Sequence, residues 1–147
     1  MGHSDVDAES TYHAIGRFMF EFSQLEYAIK HYVAETVGIQ EMYFHAVMSH
    51  DFALLCTVAS EVLSRKFGEK DKERLKGIIS RARGLNTERV RVAHGLWVPF
   101  REGGTVHHVS RNSLKPTLDV GQAQHLEDKA DEVLTLRMEF ERIMMGG

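Results

Sequence analysis

Residues 15–38 read IGRFMFEFSQLEYAIKHYVAETVG, and their spacing decides the fold class. Ile15, Phe18, Phe22, Leu25, Ile29, Tyr32 and Thr36 recur at steps of three and four, with Met19 and Val33 widening the stripe. That period puts the apolar residues on one side of an α-helix. Ser10 is the expected N-cap and Gly38 the expected stop. At about 1.5 Å per residue such a helix runs roughly 40 Å. The length suits a bundle, and it also suits pairing with a second copy.

Working outward, IQEMYFHAVMSH (39–50) reads as a short helical segment rich in Met, Tyr and Phe. Ser49 or Asp51 is placed to cap the next helix, which carries Phe52, Leu55, Val58, Ala59, Val62 and Leu63 and ends near Gly68. A charged helix is expected from about Lys70 to about His94, with Gly84 bending or dividing it and Asn86 serving as a new N-cap. WVPFREGGTVHHVS (97–110) holds two β-favouring runs around Glu-Gly-Gly and reads as a β-hairpin. RNSLKPTLDV (111–120) reads as an extended connector. The last helix, about 120–144, sets Ala123, Leu126, Ala130, Val133, Leu134, Leu136 or Arg137, Phe140 and Ile143 along one side. The expected fold is mainly α: a four- to five-helix bundle with a small β-hairpin, about 97–110, inserted before the last helix. It is expected as one domain over 1–147, with residues 1–9 flexible.

Composition agrees with a globular chain. Of 147 residues, 43% are hydrophobic and 27% charged, both ordinary values. Cys56 is the only cysteine, so neither an internal disulfide nor a cysteine-based zinc site can form. In FALLCTVAS it reads as a small buried hydrophobe. No apolar run approaches the roughly 20 residues that span a bilayer, and the polar, acidic start is unlike a signal peptide. A soluble, reducing, cytoplasmic setting is expected, with no membrane partner.

Charge is distributed unevenly. Residues 1–61 hold two basic and nine acidic side chains, whereas residues 65–91 hold ten basic and four acidic ones. A local positive segment of this kind can attract polyanions although the net charge is −3. The plainer reading is a solvated helix face carrying ion pairs along the helix.

The stretch NTERVRVAHGLW (86–97) ends that segment. At about 100° per residue, Asn86 and Arg89 fall on the same face as Ile78, Ile79, Ala82, Val90 and Ala93. A core-facing arginine is costly unless it is paired or used. Lys72, Lys76, Arg83 and His94 share the adjoining stripe. Imidazole exchanges protons readily near neutral pH, and guanidinium offers a fixed fork of donors to phosphate oxygens. Together they can cleave RNA without a metal or other cofactor: the histidine moves a proton at the ribose 2′-hydroxyl or the leaving oxygen, and the arginine stabilises charge on the phosphorane. The structural alternative pairs a buried Arg89 with Glu21 or Glu26 of the first helix.

Arg89-Val-Arg-Val-Ala-His94, followed by Gly-Leu-Trp, resembles the Arg, four to six residues, His motif of the HEPN superfamily. The long first helix with FSQLEYAI and the late position of the motif are similar to that family's layout. The resemblance implies a small helical bundle, commonly a homodimer, and a metal-independent ribonuclease of toxin–antitoxin or phage-defence systems, acting on RNA and met by a cognate antitoxin. It implies Arg89 and His94 as catalytic residues with Asn86 in support, and Lys72, Lys76, Arg83 and Arg91 as RNA contacts. One position departs from it: active members usually carry a polar residue, often Asn, directly after the arginine, and here Val90 stands there. Non-catalytic binding modules also belong to the superfamily.

No metal site is expected. His107 and His108 alternate faces in the hairpin, and the i,i+4 pairs Glu41/His45 and His31/Glu35 have no evident third ligand. GxxxxGK[ST], GxGxxG and GxSxG are all absent, which argues against phosphate-cradling loops and a serine-hydrolase elbow.

Overall fold

A computed structural model describes residues 2–48, 50–98, 105–110, 113–119 and 122–146. Helix α1 (Gly2–Val37) carries the 15–38 stripe, and Phe18, Phe22, Leu25 and Ile29 are at most 1% exposed. It begins well before Ser10, so that serine is internal and caps nothing. The residues ahead of it contain no proline to stop a helix. Gly38 ends the helix as expected, at φ +82°, while the Ile39 N–H donates to the Ala34 carbonyl at 2.9 Å. Such a left-handed closure favours glycine.

A 3-10 turn (Glu41–Tyr43) and the single turn α2 (Phe44–Val47) bring the chain back to α3 (Phe52–Leu63). Asp51 caps α3, its Oδ1 accepting from the Leu54 N–H at 3.1 Å; Ser49, the other expected cap, lies outside the described residues. Helix α4 (Glu69–His94) is unbroken. Gly84 does not divide it, and Asn86 lies inside it rather than at a cap. Ala82 and Leu85 are buried on either side of the glycine, so packing carries the helix through a residue of low propensity.

Between α4 and the last helix, α5 (Gln122–Gly146), run three strands: β1 (Leu96–Val98), β2 (Thr105–Ser110) and β3 (Ser113–Asp119). They form an antiparallel sheet in the order β1-β2-β3, with Leu96 opposite His107 and Val106 opposite Asp119. The mainly helical class is as expected. The single hairpin over about 97–110 is not, because the supposed connector supplies β3; the Glu-Gly-Gly turn lies outside the described residues.

Residue pairs fix the directions of the helices. Arg83 of α4 donates to the Ala53 carbonyl and the Thr57 hydroxyl at the start of α3. Arg81 meets Glu139, and Glu88 meets His125. Helix α4 is therefore antiparallel to both α3 and α5. Helices α1 and α5 run parallel, joined by Arg17, midway along α1, to Glu127 near the start of α5 and by Tyr32 against Phe140 further along both. The core lies between these four helices. Among the described residues no helix is long and apolar enough to cross a membrane.

Candidate functional site around Arg89

Phe52, the first residue of α3, packs on Phe22 of α1 with ring centroids 4.8 Å apart. Because α4 is antiparallel to α3, its residues beyond Asn86 run past the start of α3 and lose that helix as a cover. Ala93 lies on the core-facing side of α4 yet is exposed, and Val90 is 38% exposed. Arg89 sits at this margin, partly buried.

Three contacts are conceivable for the Arg89 guanidinium, and the structure uses two. Its Nε donates to Asn86 Oδ1 at 3.0 Å. Its central carbon lies 5.2 Å from the centroid of the Phe22 ring, within reach of a cation–π attraction. The third, an ion pair with Glu21 or Glu26, is not made: Glu26 pairs with Lys30 at 2.9 Å, and Glu21 Oε2 is buried without a hydrogen-bond partner. Among the described residues no carboxylate pairs with Arg89. Asn86 and Phe22 thus orient the group without neutralising it.

His94 is the last residue of α4 and is exposed. The helix end is held by the Gly95 N–H donating to the Arg91 carbonyl at 2.8 Å and by Trp97 Nε1 donating to the Val92 carbonyl at 3.1 Å. Five residues turn the helix by about 140° and advance it about 7.5 Å. Arg89 and His94 therefore leave α4 in different directions, and one chain does not bring them together on one face.

The expected RNA contacts are also dispersed. Lys72 pairs with Glu69 at 3.6 Å and Lys76 with Glu73 at 4.0 Å, on the part of α4 facing Ser60 and Ser64 of the neighbouring chain segment. Thirteen residues, about 20 Å of helix, separate Lys76 from Arg89. Arg83 is engaged with α3. Arg91 pairs with Glu88 at 3.6 Å and points away from Arg89, since two residues turn a helix by about 200°. Much of the positive segment is thus a solvated face laced with i,i+3 pairs, to which Arg74 with Asp71 adds another.

Residues the sequence reading did not single out complete the picture. Phe22 forms the platform under Arg89; its membership of the α1 stripe was legible, its partner was not. Arg17 donates to Glu127 at 2.7 Å and also to Asp131, and His13 lies 2.6 Å from Glu127. The Arg17 hydrogen bond holds the Glu127 carboxyl below its usual range although burial opposes this, and its two carboxylates raise the Arg17 guanidinium further. Cys56, by contrast, is buried as the sequence led one to expect, and burial pushes its thiol up to about 11. Among the described residues no group of three or more His, Cys, Asp and Glu side chains could hold a metal ion.

Comparison with known proteins leaves the site to its own geometry: no family model matches the chain, and neither a curated protein nor a solved structure matches it.

Proposed function

We propose that the chain is a HEPN-like, RNA-acting protein: a metal-independent endoribonuclease of a toxin–antitoxin or phage-defence system, working as a homodimer. The observation that carries this reading is Arg89, a partly buried guanidinium steered by Asn86 and Phe22 with no carboxylate partner among the described residues. A cation held this way is available to an anion from outside the chain. The exposed His94 lies close along the same helix.

In this mechanism His94 takes the proton of the ribose 2′-hydroxyl as that oxygen attacks the adjacent phosphorus, and a second imidazole returns a proton to the departing 5′-oxygen. Arg89 stabilises the charge that grows on the phosphorane oxygens. The divergence of Arg89 and His94 on α4 is the reason for a second copy, whose motif supplies the facing group. The uncovered Val90 and Ala93 give that copy, or a cognate antitoxin, apolar surface to rest on.

A second reading is favoured by a separate observation. Val90 stands where active members carry a polar residue, and the basic residues expected to hold RNA are engaged with neighbours within the chain. On that reading the Arg89 face binds a partner without catalysis.

Cleavage of mixed single-stranded RNA by purified protein in EDTA tests both. The expected result is cleavage that falls about 10²-fold or more in Arg89→Ala and in His94→Ala, with both variants folded by circular dichroism. Binding without cleavage, lost in Arg89→Ala alone, supports the non-catalytic module. Cleavage retained in His94→Ala overturns the proposed mechanism.

A further inference from the structure

A second site is built nearer the start of α4. Along its seam with α5, Glu73, Arg74, Gly77, Ile78 and Arg81 face Glu139, Arg142 and Ile143 around a cavity of about 430 Å³. Pockets for small ligands run from about 300 to 1,000 Å³, so this one admits a compact molecule.

Gly77 is the first clue. Glycine inside a helix costs about 1 kcal/mol relative to alanine, and the usual compensation is close approach by another element. There is none here: a Cβ added at Gly77 meets nothing within 4 Å. The missing side chain therefore keeps the cavity wide rather than letting the helices pack closely.

The cations are the second. Arg81 is fixed by Glu139 at 2.6 Å, and Arg74 lies 3.6 Å from Asp71. Arg142 makes no ion pair among the described residues. Arg142 is thus left to meet an anion, and Arg81 and Arg74, each already holding a carboxylate, add positive charge beside it, a setting that suits the oxygens of a phosphate monoester. The two carboxylates, Glu73 and Glu139, repel a second acidic group and accept hydrogen bonds from hydroxyl or ammonium groups instead. Ile143, only partly buried, gives a carbon skeleton an apolar surface, with the buried Ile78 as the floor behind it.

We infer that this α4–α5 cavity binds a small phosphate monoester with a hydroxylated or amino-bearing body, of sugar-phosphate size. The site is independent of Arg89, which lies about 12 Å further along α4 from Arg81. The recognition is by one dianionic end and one hydrogen-donating end, so a more highly charged ligand such as a nucleoside triphosphate is disfavoured by Glu73 and Glu139.

Isothermal titration of the full chain at about 0.15 M salt tests this with ribose 5-phosphate, inorganic phosphate and ATP as probes. Ribose 5-phosphate is expected to bind one to one, at least tenfold more tightly than either comparison probe. Gly77→Leu, whose side chain occupies the cavity, and Arg142→Gln are each expected to weaken it at least tenfold. Gly77→Ala keeps binding while raising Tm, which separates filling the site from disturbing the helix, and Arg89→Ala leaves binding unchanged. Absence of saturable binding overturns the proposal, as does equal affinity for inorganic phosphate or indifference to both Gly77→Leu and Arg142→Gln.

Discussion

Arg89 decides between use and pairing through its energetics. A buried ion pair broken by removing one partner costs about 3–5 kcal/mol, because the other charge is left buried and alone. Arg89 has no such partner among the described residues; its contacts are a hydrogen bond donated to Asn86, worth about 0.5–1.5 kcal/mol net, and the Phe22 ring, worth about 0.5–1 kcal/mol. Replacing it with methionine, of similar length, also removes the desolvation of a charge at the margin of the core. Arg89→Met is therefore expected to change stability by no more than about 1 kcal/mol in urea unfolding, while abolishing RNA binding or cleavage. A loss near 4 kcal/mol would mean that the cation is structural after all. At this scale the sequence was informative about position and silent about partners. The helical period put Asn86 and Arg89 on one face, yet it could not say that Glu26 would turn to Lys30 or that Phe22 would lie under the guanidinium. Cys56 was legible in full: an apolar run gives a buried thiol, and with its ionisation pushed up to about 11 it is expected to react with iodoacetamide at neutral pH only when denaturant opens the fold.

Helix α4 shows where local signals yield to packing. Gly84 and Asn86 together look like a boundary, because glycine weakens a helix and asparagine caps one. Buried side chains before and after them hold the helix continuous, and a Cβ at Gly84 meets nothing within 4 Å. Gly84→Ala is therefore expected to stabilise the chain by about 0.5–1 kcal/mol, visible as a higher urea midpoint with an unchanged slope. Unchanged or lower stability would show that the glycine's backbone is needed there. Asp51→Ala is expected to cost about 1 kcal/mol by removing the α3 cap. The start of α1 and the third strand escaped the sequence for related reasons. Ser10 resembles a cap, but nothing ahead of it stops a helix. Pro116 in RNSLKPTLDV argues against a strand, and the chain accommodates it in β3, an edge strand of the sheet, where a missing N–H is tolerated.

Across the whole molecule, the apolar periods in α1, α3, α4 and α5 were enough to place the core, because each stripe must find another. Which helices become neighbours was not legible, since it depends on charged residues at the seams. The parallel pair α1–α5 is tied at one end by His13 and Arg17 on Glu127 and Asp131, and this tie makes stability depend on acid. Glu127 titrates lower in the folded chain than in the unfolded one, chiefly because Arg17 donates to its charged form. Its contribution is therefore complete above the unfolded carboxyl value, about 4.3, and is lost as pH falls from there through the lower folded value. Arg17, raised from an already high value, stays charged throughout and adds no pH dependence of its own. Urea unfolding of the wild type is thus expected to lose stability steeply below about pH 4.5, whereas Glu127→Gln loses it less steeply and starts from a lower plateau near pH 7. Parallel profiles for the two proteins would show that the tie between the first and last helices carries no free energy. A shallower profile in Arg17→Gln as well would identify the guanidinium as the group that makes the carboxylate matter.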